Sequence, residues 1–409
     1  MGEISFGSNI MSPRFRFNRL EFSGSLGDLG TILPLALGMI LINKLDPMGL
    51  FLSVGLFFIG SGLYYGVTAP VQPMKVVGAY AVATGISAGQ IMASAVLLGV
   101  ILLIIGATGA VNLIGRYTPK SVVRGVQLST GTLLMAGGVK FMLGTSRYQE
   151  MLGLAEPYLS LQALGPLPIG IVIGVAGGVL TLLLLDNKKL PAGLVVVLAG
   201  LGLGLWLGAG QDLERLSLGL NLPQWLPFGW PSQIDFSLAL IMLVLPQIPM
   251  TLGNAVIANA DLSQQYFGQD SSRVTYRSLC ISMALANFGA FVVGGMPLCH
   301  GAGGLAAHYR FGARTAGSNL MIGAIFVALA ILLGSQAVIV VNLIPMAVLG
   351  VLLLFAGSQL ALTLLDINQR KDMFVCLTML GITLASNLAV GFVVGLALAY
   401  ALKSERLSV

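Results

Sequence analysis

The chain has 409 residues, 56% of them hydrophobic and only 9% charged, with a mean hydropathy of +0.92. Soluble domains carry about 25% charged residues, so the composition excludes a water-soluble enzyme, a disordered protein and a nucleic-acid binder. The net charge of +6, from 21 Lys and Arg against 15 Asp and Glu, reads as membrane topology and not as an acidic partner. Cys280, Cys299 and Cys376 are widely spaced and form no CxxC, and His300 and His308 are the two histidines. Neither a disulfide framework nor a metal centre is indicated.

Residues 1–21 hold Arg14, Arg16 and Arg19 and lack the apolar run of a signal peptide, which predicts a cytosolic leader. A membrane helix needs about 20 mostly apolar residues. In chain order, the first half offers long spans near 22–42, 49–67, 91–113, 119–142, 167–185 and 190–209. The second offers 236–258, 276–294, 317–334 and 339–357, and a tail from Met373 to Leu402 that Ser386-Asn387 splits into two. Segments 69–84 and 295–309 are shorter and broken by Gly and Pro. The expectation is an all-α polytopic membrane protein of fourteen transmembrane elements, the broken pair being elements 3 and 10.

Positive charge supports this count. With the N-terminus inside, sixteen Lys and Arg fall on the cytoplasmic face. Only Lys44, Lys140, Arg147 and Arg215 fall outside, and Lys75 is left within the membrane. Cytoplasmic loops hold the excess of Lys and Arg, so both termini are expected to be cytoplasmic. The lack of a targeting peptide suggests a prokaryotic inner membrane.

Fourteen elements divide into a 7+7 inverted repeat, residues 22–209 and 236–403, joined by an extracytoplasmic connection at 210–235. Asp28 and Asn254 follow a glycine in elements 1 and 8, and Pro73 and Pro297 mark elements 3 and 10. The intervals are 45 and 43 residues; from the same anchors to Pro119 and Pro345 they are 91 and 91. Paired Gly/Pro-interrupted segments point to a transporter's binding site.

In Pro70-Val71-Gln72-Pro73-Met74-Lys75 the prolines predict an extended approach over 69–72 and a half-helix from Pro73. Met296-Pro297-Leu298-Cys299-His300-Gly301 repeats the pattern, with a helix start near Pro297. Two helix N-termini facing one another at mid-membrane make an anion site. The candidate donors are the amides near Met74, Lys75, Cys299 and His300, the Lys75 ammonium, and the Gln72 and His300 side chains. Glycines 301, 303 and 304 would permit close approach. Lys75 could instead snorkel to the interface, and His300 could be a packing residue.

Asp28, with Thr31 in the same segment, is the acidic residue placed well inside a span. It could pair with Lys75, carry a coupling proton or help hold a cation. Gln247 and Asn254, flanking Pro249 in element 8, would direct amides at the same cavity or cap carbonyls freed by proline.

Gly24-Ser25-Leu26-Gly27-Asp28-Leu29-Gly30-Thr31, the Pro70–Lys75 segment, Met296 to Ala306 and Tyr309 to Thr315 together resemble the molybdate transporter family related to sulfate permeases. The resemblance implies uptake of molybdate, a tetrahedral dianion, and the fold shared with sulfate and uracil permeases. It implies a core domain, 22–113 plus 236–334, moving against a gate domain, 119–209 plus 339–403. Substrate would sit between elements 3 and 10, contacted by Gln72, Met74, Lys75, Gln247, Cys299, His300 and Gly301. Unlike sulfate permeases, the chain is expected to lack a C-terminal cytosolic regulatory domain. Relatives with a carboxylate in element 8 are matched here by Gly253 and Asn254, which makes Asp28 the substitute coupling residue.

No cofactor is expected beyond a coupling proton or sodium ion. The partners are the oxyanion and the lipid bilayer, with a homodimer left open. A sulfate or other small-anion carrier of the same fold, or an anion channel, is the alternative. No nucleophile with a base within reach supports an intramembrane enzyme.

Overall fold

The computed structural model describes residues 14–111, 119–187, 190–404, 407 and 409. Residues 1–13 of the leader, and Arg116, Lys188, Lys189 and Arg406 of the charge asymmetry, lie outside the described residues. The chain is mostly helical. The first span is bent by 43° where α1 (Arg19–Ser25) meets α2 (Leu29–Leu41), and Asp28 sits at the break. In α3 (Pro47–Tyr65) Asp46 caps the Gly49 amide, and Gly66, at φ 78°, ends the helix. Strand β1 (Gln72–Pro73) leads into α4 (Lys75–Thr84), followed by α5 (Ala88–Thr108) and α6 (Lys120–Leu143). A short hairpin at residues 163–168 precedes α7 (Ile169–Leu184) and α8 (Ala192–Trp206).

The second half opens on α9 (Gln233–Ser271), 39 residues long. Its backbone widens to π-helix at Leu240–Val244 and Thr251–Ala258, on either side of Pro246 and Pro249. Proline breaks the regular ladder, and π segments absorb the mismatch. Then come α10 (Tyr276–Val293), β2 (Leu298–Cys299), α11 (Ala302–Arg310), α12 (Ala316–Leu333) and α13 (Met346–Ala361). The apolar tail divides at Ser386-Asn387 into α14 (Arg370–Ala385) and α15 (Leu388–Ala401), with Asn387 capping the Val390 amide at 3.0 Å.

Among the described residues, six helices are long and apolar enough to cross a membrane, or eight if each bent pair is one span. The expected fourteen-element count rests on further helices that are short, such as α4 (10 residues) and α11 (9 residues), or more polar, as is α6.

The helices pack in two sets. In one, α3 lies along α12, and α10 along α5; in the other, α6 lies against α13, α14 and α15. The α6–α13 crossing is glycine-lined. A Cβ at Gly131 would sit 2.5 Å from the Gly357 carbonyl, and one at Gly138 would sit 2.4 Å from that of Gly350. Small residues of this kind let membrane helices approach closely. Two buried carboxylates stitch helix starts to distant chain. Glu21 accepts from the Arg314 and Thr315 amides at 3.0 and 3.1 Å, just before α12. Glu156, in the connection before α7, accepts from the Met346 and Ala347 amides, both at 2.8 Å, at the start of α13. Burial pushes the Glu156 carboxyl up to about 7, against the two amides that favour its charge.

Candidate functional site

The two interrupted segments meet as an antiparallel ribbon, Gln72 opposite Cys299 and Pro73 opposite Leu298. The Met74 amide extends it by donating to the Pro297 carbonyl at 2.8 Å. Each approach is held by one buried asparagine that acts as a neighbouring strand. Asn319 exchanges bonds with both backbone groups of Ala69, at 2.9 and 2.7 Å. Asn287 does the same for Leu298, at 3.2 and 3.0 Å. Sequence reasoning missed both; the signal was an amide within an apolar helix, Asn287 well inside α10 and Asn319 in the first turn of α12, which needs a partner at that depth. The pairing also moves the helix starts. Helix α4 begins at Lys75 instead of Pro73, and α11 begins at Ala302, five residues after Pro297, because the ribbon uses the backbone through Cys299.

A cavity of about 670 Å³ lies beside the ribbon, between the two helix sets. Asp28, Thr31, Gln72, Lys75, Asn254 and Gly303 line one wall; Gln127, Thr181, Gln359 and Thr363 line the other. It reaches the surface at Arg310 and Asp186, whose side chains approach to 3.9 Å. At its other end are buried Leu35, Leu134 and Leu352. The Lys75 ammonium points across to the start of α11, 3.8 Å from where a Cβ on Gly303 would stand. Gln72 donates to Asp28 Oδ1 at 2.7 Å, while Asp28 Oδ2 and Gln72 Oε1 are buried without a hydrogen-bond partner among the described residues.

Several expected contact residues stand elsewhere. Gln247 is turned away from the cavity: its Oε1 accepts from the Val76 and Val77 amides at 2.9 and 3.2 Å, closing most of the α4 N-terminus. Met74 is fully buried, and its amide is spent on the ribbon. The Cys299 thiol faces the Pro73 carbonyl at 3.7 Å. His300 lies behind the ribbon, its Nδ1 on the Pro70 carbonyl (2.6 Å), its Nε2 on Ser282 (3.0 Å) and its ring against Phe57. Gly301 precedes α11, and a Cβ there would lie 1.8 Å from Gln72 Oε1. The asymmetry is informative. At α11 the Gly304 and Leu305 amides bond back to Gly301, while those of Ala302 and Gly303 have no partner among the described residues. The open helix N-terminus is therefore that of α11, and the charge facing it comes from α4. Gln127 and Gln359 line the far wall from α6 and α13, and nothing in their spacing singled them out.

This architecture has solved counterparts. Murine solute carrier 26 family member A9, an anion transporter in the inward-facing state, aligns with a TM-score of 0.66 at 14% identity, covering 96% of this chain and 69% of that one. A second SLC26A9 structure is spanned over 64% of its length. The transmembrane domain of a cyanobacterium bicarbonate transporter, BicA, aligns with a TM-score of 0.63 at 15% identity, covering 93% and 96% of the two chains. The fold is that of SLC26 anion transporters.

Sequence comparison narrows the class. The profile of the family described as "Molybdate transporter of MFS superfamily" matches residues 20–134 and 239–360. Molybdate transporter 2 of Arabidopsis thaliana is 32% identical over 420 residues, covering 95% of this chain and 88% of that protein. Molybdate transporter 1 of Chlamydomonas reinhardtii is 30% identical, covering 92% and 90%. The chain belongs to the molybdate transporter family. These relatives are plant and algal, and they lend nothing to the expectation of a prokaryotic inner membrane.

Proposed function

We propose that the chain is a secondary active transporter that imports a tetrahedral oxyanion, molybdate, with charge compensation by protons. The observation that carries this reading is the Lys75 ammonium aimed across a polar cavity at the unpartnered amides of Ala302 and Gly303. A positive side chain and a helix N-terminus converging on one space favour an anion. Thr31 and Asn254, on the same wall, supply further polar groups. Met74, Cys299, His300 and Gln247 take the role of supports. The molybdate specificity comes from what the relatives are named; the geometry serves sulfate equally. Purified protein should gain thermal stability with molybdate, by about 2.7 kcal/mol at a ligand concentration one hundred times Kd, and gain less with sulfate. No stabilisation by molybdate at any concentration would remove the substrate; equal stabilisation by both would remove the selectivity.

The two helix sets are read as core (22–113 plus 236–334) and gate (119–209 plus 339–403), with the cavity between them. Opening at Arg310 and Asp186 and closure by Leu35, Leu134 and Leu352 correspond to an inward-facing state, if the arginine-rich face is cytoplasmic. The ribbon of β1 and β2 is what an inverted 7+7 repeat would produce where its halves meet.

Proton coupling follows from charge counting. Asp28 and Lys75 nearly cancel in the empty site, so a bound dianion leaves it strongly negative, and a proton on Asp28 relieves this. Each charge moved against 100 mV costs about 2.3 kcal/mol, so an uncompensated dianion would not accumulate in a negative cell. Asp28→Asn keeps an acceptor for Gln72 and removes the charge. The unaltered protein should take up more as pH falls, and the variant should lose that rise. An identical pH profile would exclude Asp28 as the proton carrier.

A further inference from the structure

A second cavity, of about 730 Å³, lies outside the transport site, on the outer flank of the first helix set. It is a groove between α3 and α10, which splay apart because α3 follows α12 and α10 follows α5. Its rims carry Leu56, Tyr64 and Leu285, each more than half exposed. In a membrane protein such side chains face lipid. From Ser278 to Val293 the groove runs for about 22 Å at 1.5 Å per residue, longer than one leaflet of a roughly 30 Å hydrocarbon core. Gly60 and Gly289 open its middle, since a Cβ on either would meet no atom within 4 Å.

The two ends differ chemically. One end is capped by Trp225. At the other, Arg273 donates to the Tyr64 carbonyl at 3.1 Å, and Arg14 donates to the Leu63 and Tyr64 carbonyls. Exposed Arg277 stands one turn before Ile281, which lines the groove. Just inside this arginine end, the Ser61 hydroxyl is 3% exposed and has no hydrogen-bond partner among the described residues. Polar groups without partners at such depth call for a ligand atom. Moving inward, the order is guanidinium, hydroxyl, then apolar trough, which matches phosphate, ester and acyl chain. A second copy fits poorly. Two-fold symmetry about the membrane normal would set the same arginines against one another at one depth.

We propose that this groove binds one anionic phospholipid from the leaflet on the arginine-rich face. The acyl chain lies along Gly60 and Gly289, an ester oxygen accepts from Ser61, and the phosphate meets Arg273 and Arg277. Through Ser282, which lines the groove and bonds His300, the lipid abuts the Pro70 approach to β1.

The test uses the full chain in vesicles of equal phosphatidylglycerol and phosphatidylcholine, extracted into mild detergent and weighed by native mass spectrometry. The unaltered protein should retain one phosphatidylglycerol and no phosphatidylcholine. Attraction to anionic lipid is worth about fivefold per basic residue, so the double variant Arg273→Gln, Arg277→Gln should retain it roughly 30-fold less well. Gly289→Phe should abolish retention by filling the groove, with Gly60→Leu as the second filling variant should the first not fold. Equal retention of the two lipids, or retention unchanged in folded variants, overturns the proposal. So does a dimer in the unaltered protein that Gly289→Phe dissociates, because a second copy would then own the groove.

Discussion

Lys75→Ala is expected to abolish molybdate uptake while leaving the protein folded and inserted. The ammonium lines the cavity and faces the α11 start, yet among the described residues it forms no ion pair within 4 Å. Its removal therefore breaks no ion pair among the described residues. Truncating one partner of a buried charged contact costs about 2–5 kcal/mol of binding, which is roughly 30-fold to several thousand-fold in affinity. The loss should be greater for a dianion than for a monoanion, because Asp28 on the same wall is then no longer offset. Lys75→Met keeps the length of the side chain and should fail equally, separating charge from shape. Uptake of labelled molybdate by reconstituted vesicles, beside the thermal midpoint of each purified variant, gives the answer. Uptake within twofold of the unaltered protein in either variant would mean that the anion is not held by this ammonium.

Much of this site was legible in the sequence because membrane burial makes polar residues conspicuous. Asp28, Gln72, Lys75 and Asn254 stood out as polar groups in apolar surroundings, and all four line the cavity. Proline marked where the helices break, yet it did not mark where they start. Helix α11 begins five residues after Pro297 because pairing with β1 claims the intervening backbone, and pairing between segments more than two hundred residues apart leaves no local trace. The same blindness affected orientation. His300 and Gln247 were sound candidates by residue type, but the face a residue beside the ribbon takes depends on the partner strand, and the face Gln247 takes depends on how α9 packs. His300 went to the back, and Gln247 used its amide on the α4 N-terminus. The polar far wall, Gln127 and Gln359, became part of the site only through packing of α6 and α13.

The glycines after His300 give the sharpest contrast in expected outcome. All three looked interchangeable as points of close approach, yet the structure gives them separate tasks. A Cβ on Gly304 would stand 2.3 Å from Asp28 Oδ2, 2.8 Å from Gln72 Nε2 and 2.9 Å from the Pro70 ring. Gln72 and Asp28 are buried and bonded to one another, and the proline cannot swing aside, so Gly304→Ala must separate α11 from the first span or break that bond. Overpacking of this kind costs about 1–3 kcal/mol, and here it also disturbs the carboxylate assigned to the proton. Gly304→Ala should thus lower the thermal midpoint and lose uptake together. A Cβ on Gly303 meets only the Lys75 ammonium, at 3.8 Å, within ordinary contact distance. Gly303→Ala should fold with an unchanged midpoint and weaken anion binding, since the added methyl enters the space between the ammonium and the open amides. If Gly304→Ala were as stable and active as the unaltered chain, α11 would not pack against Asp28 as described. If Gly303→Ala bound molybdate normally, the anion would lie elsewhere in the cavity.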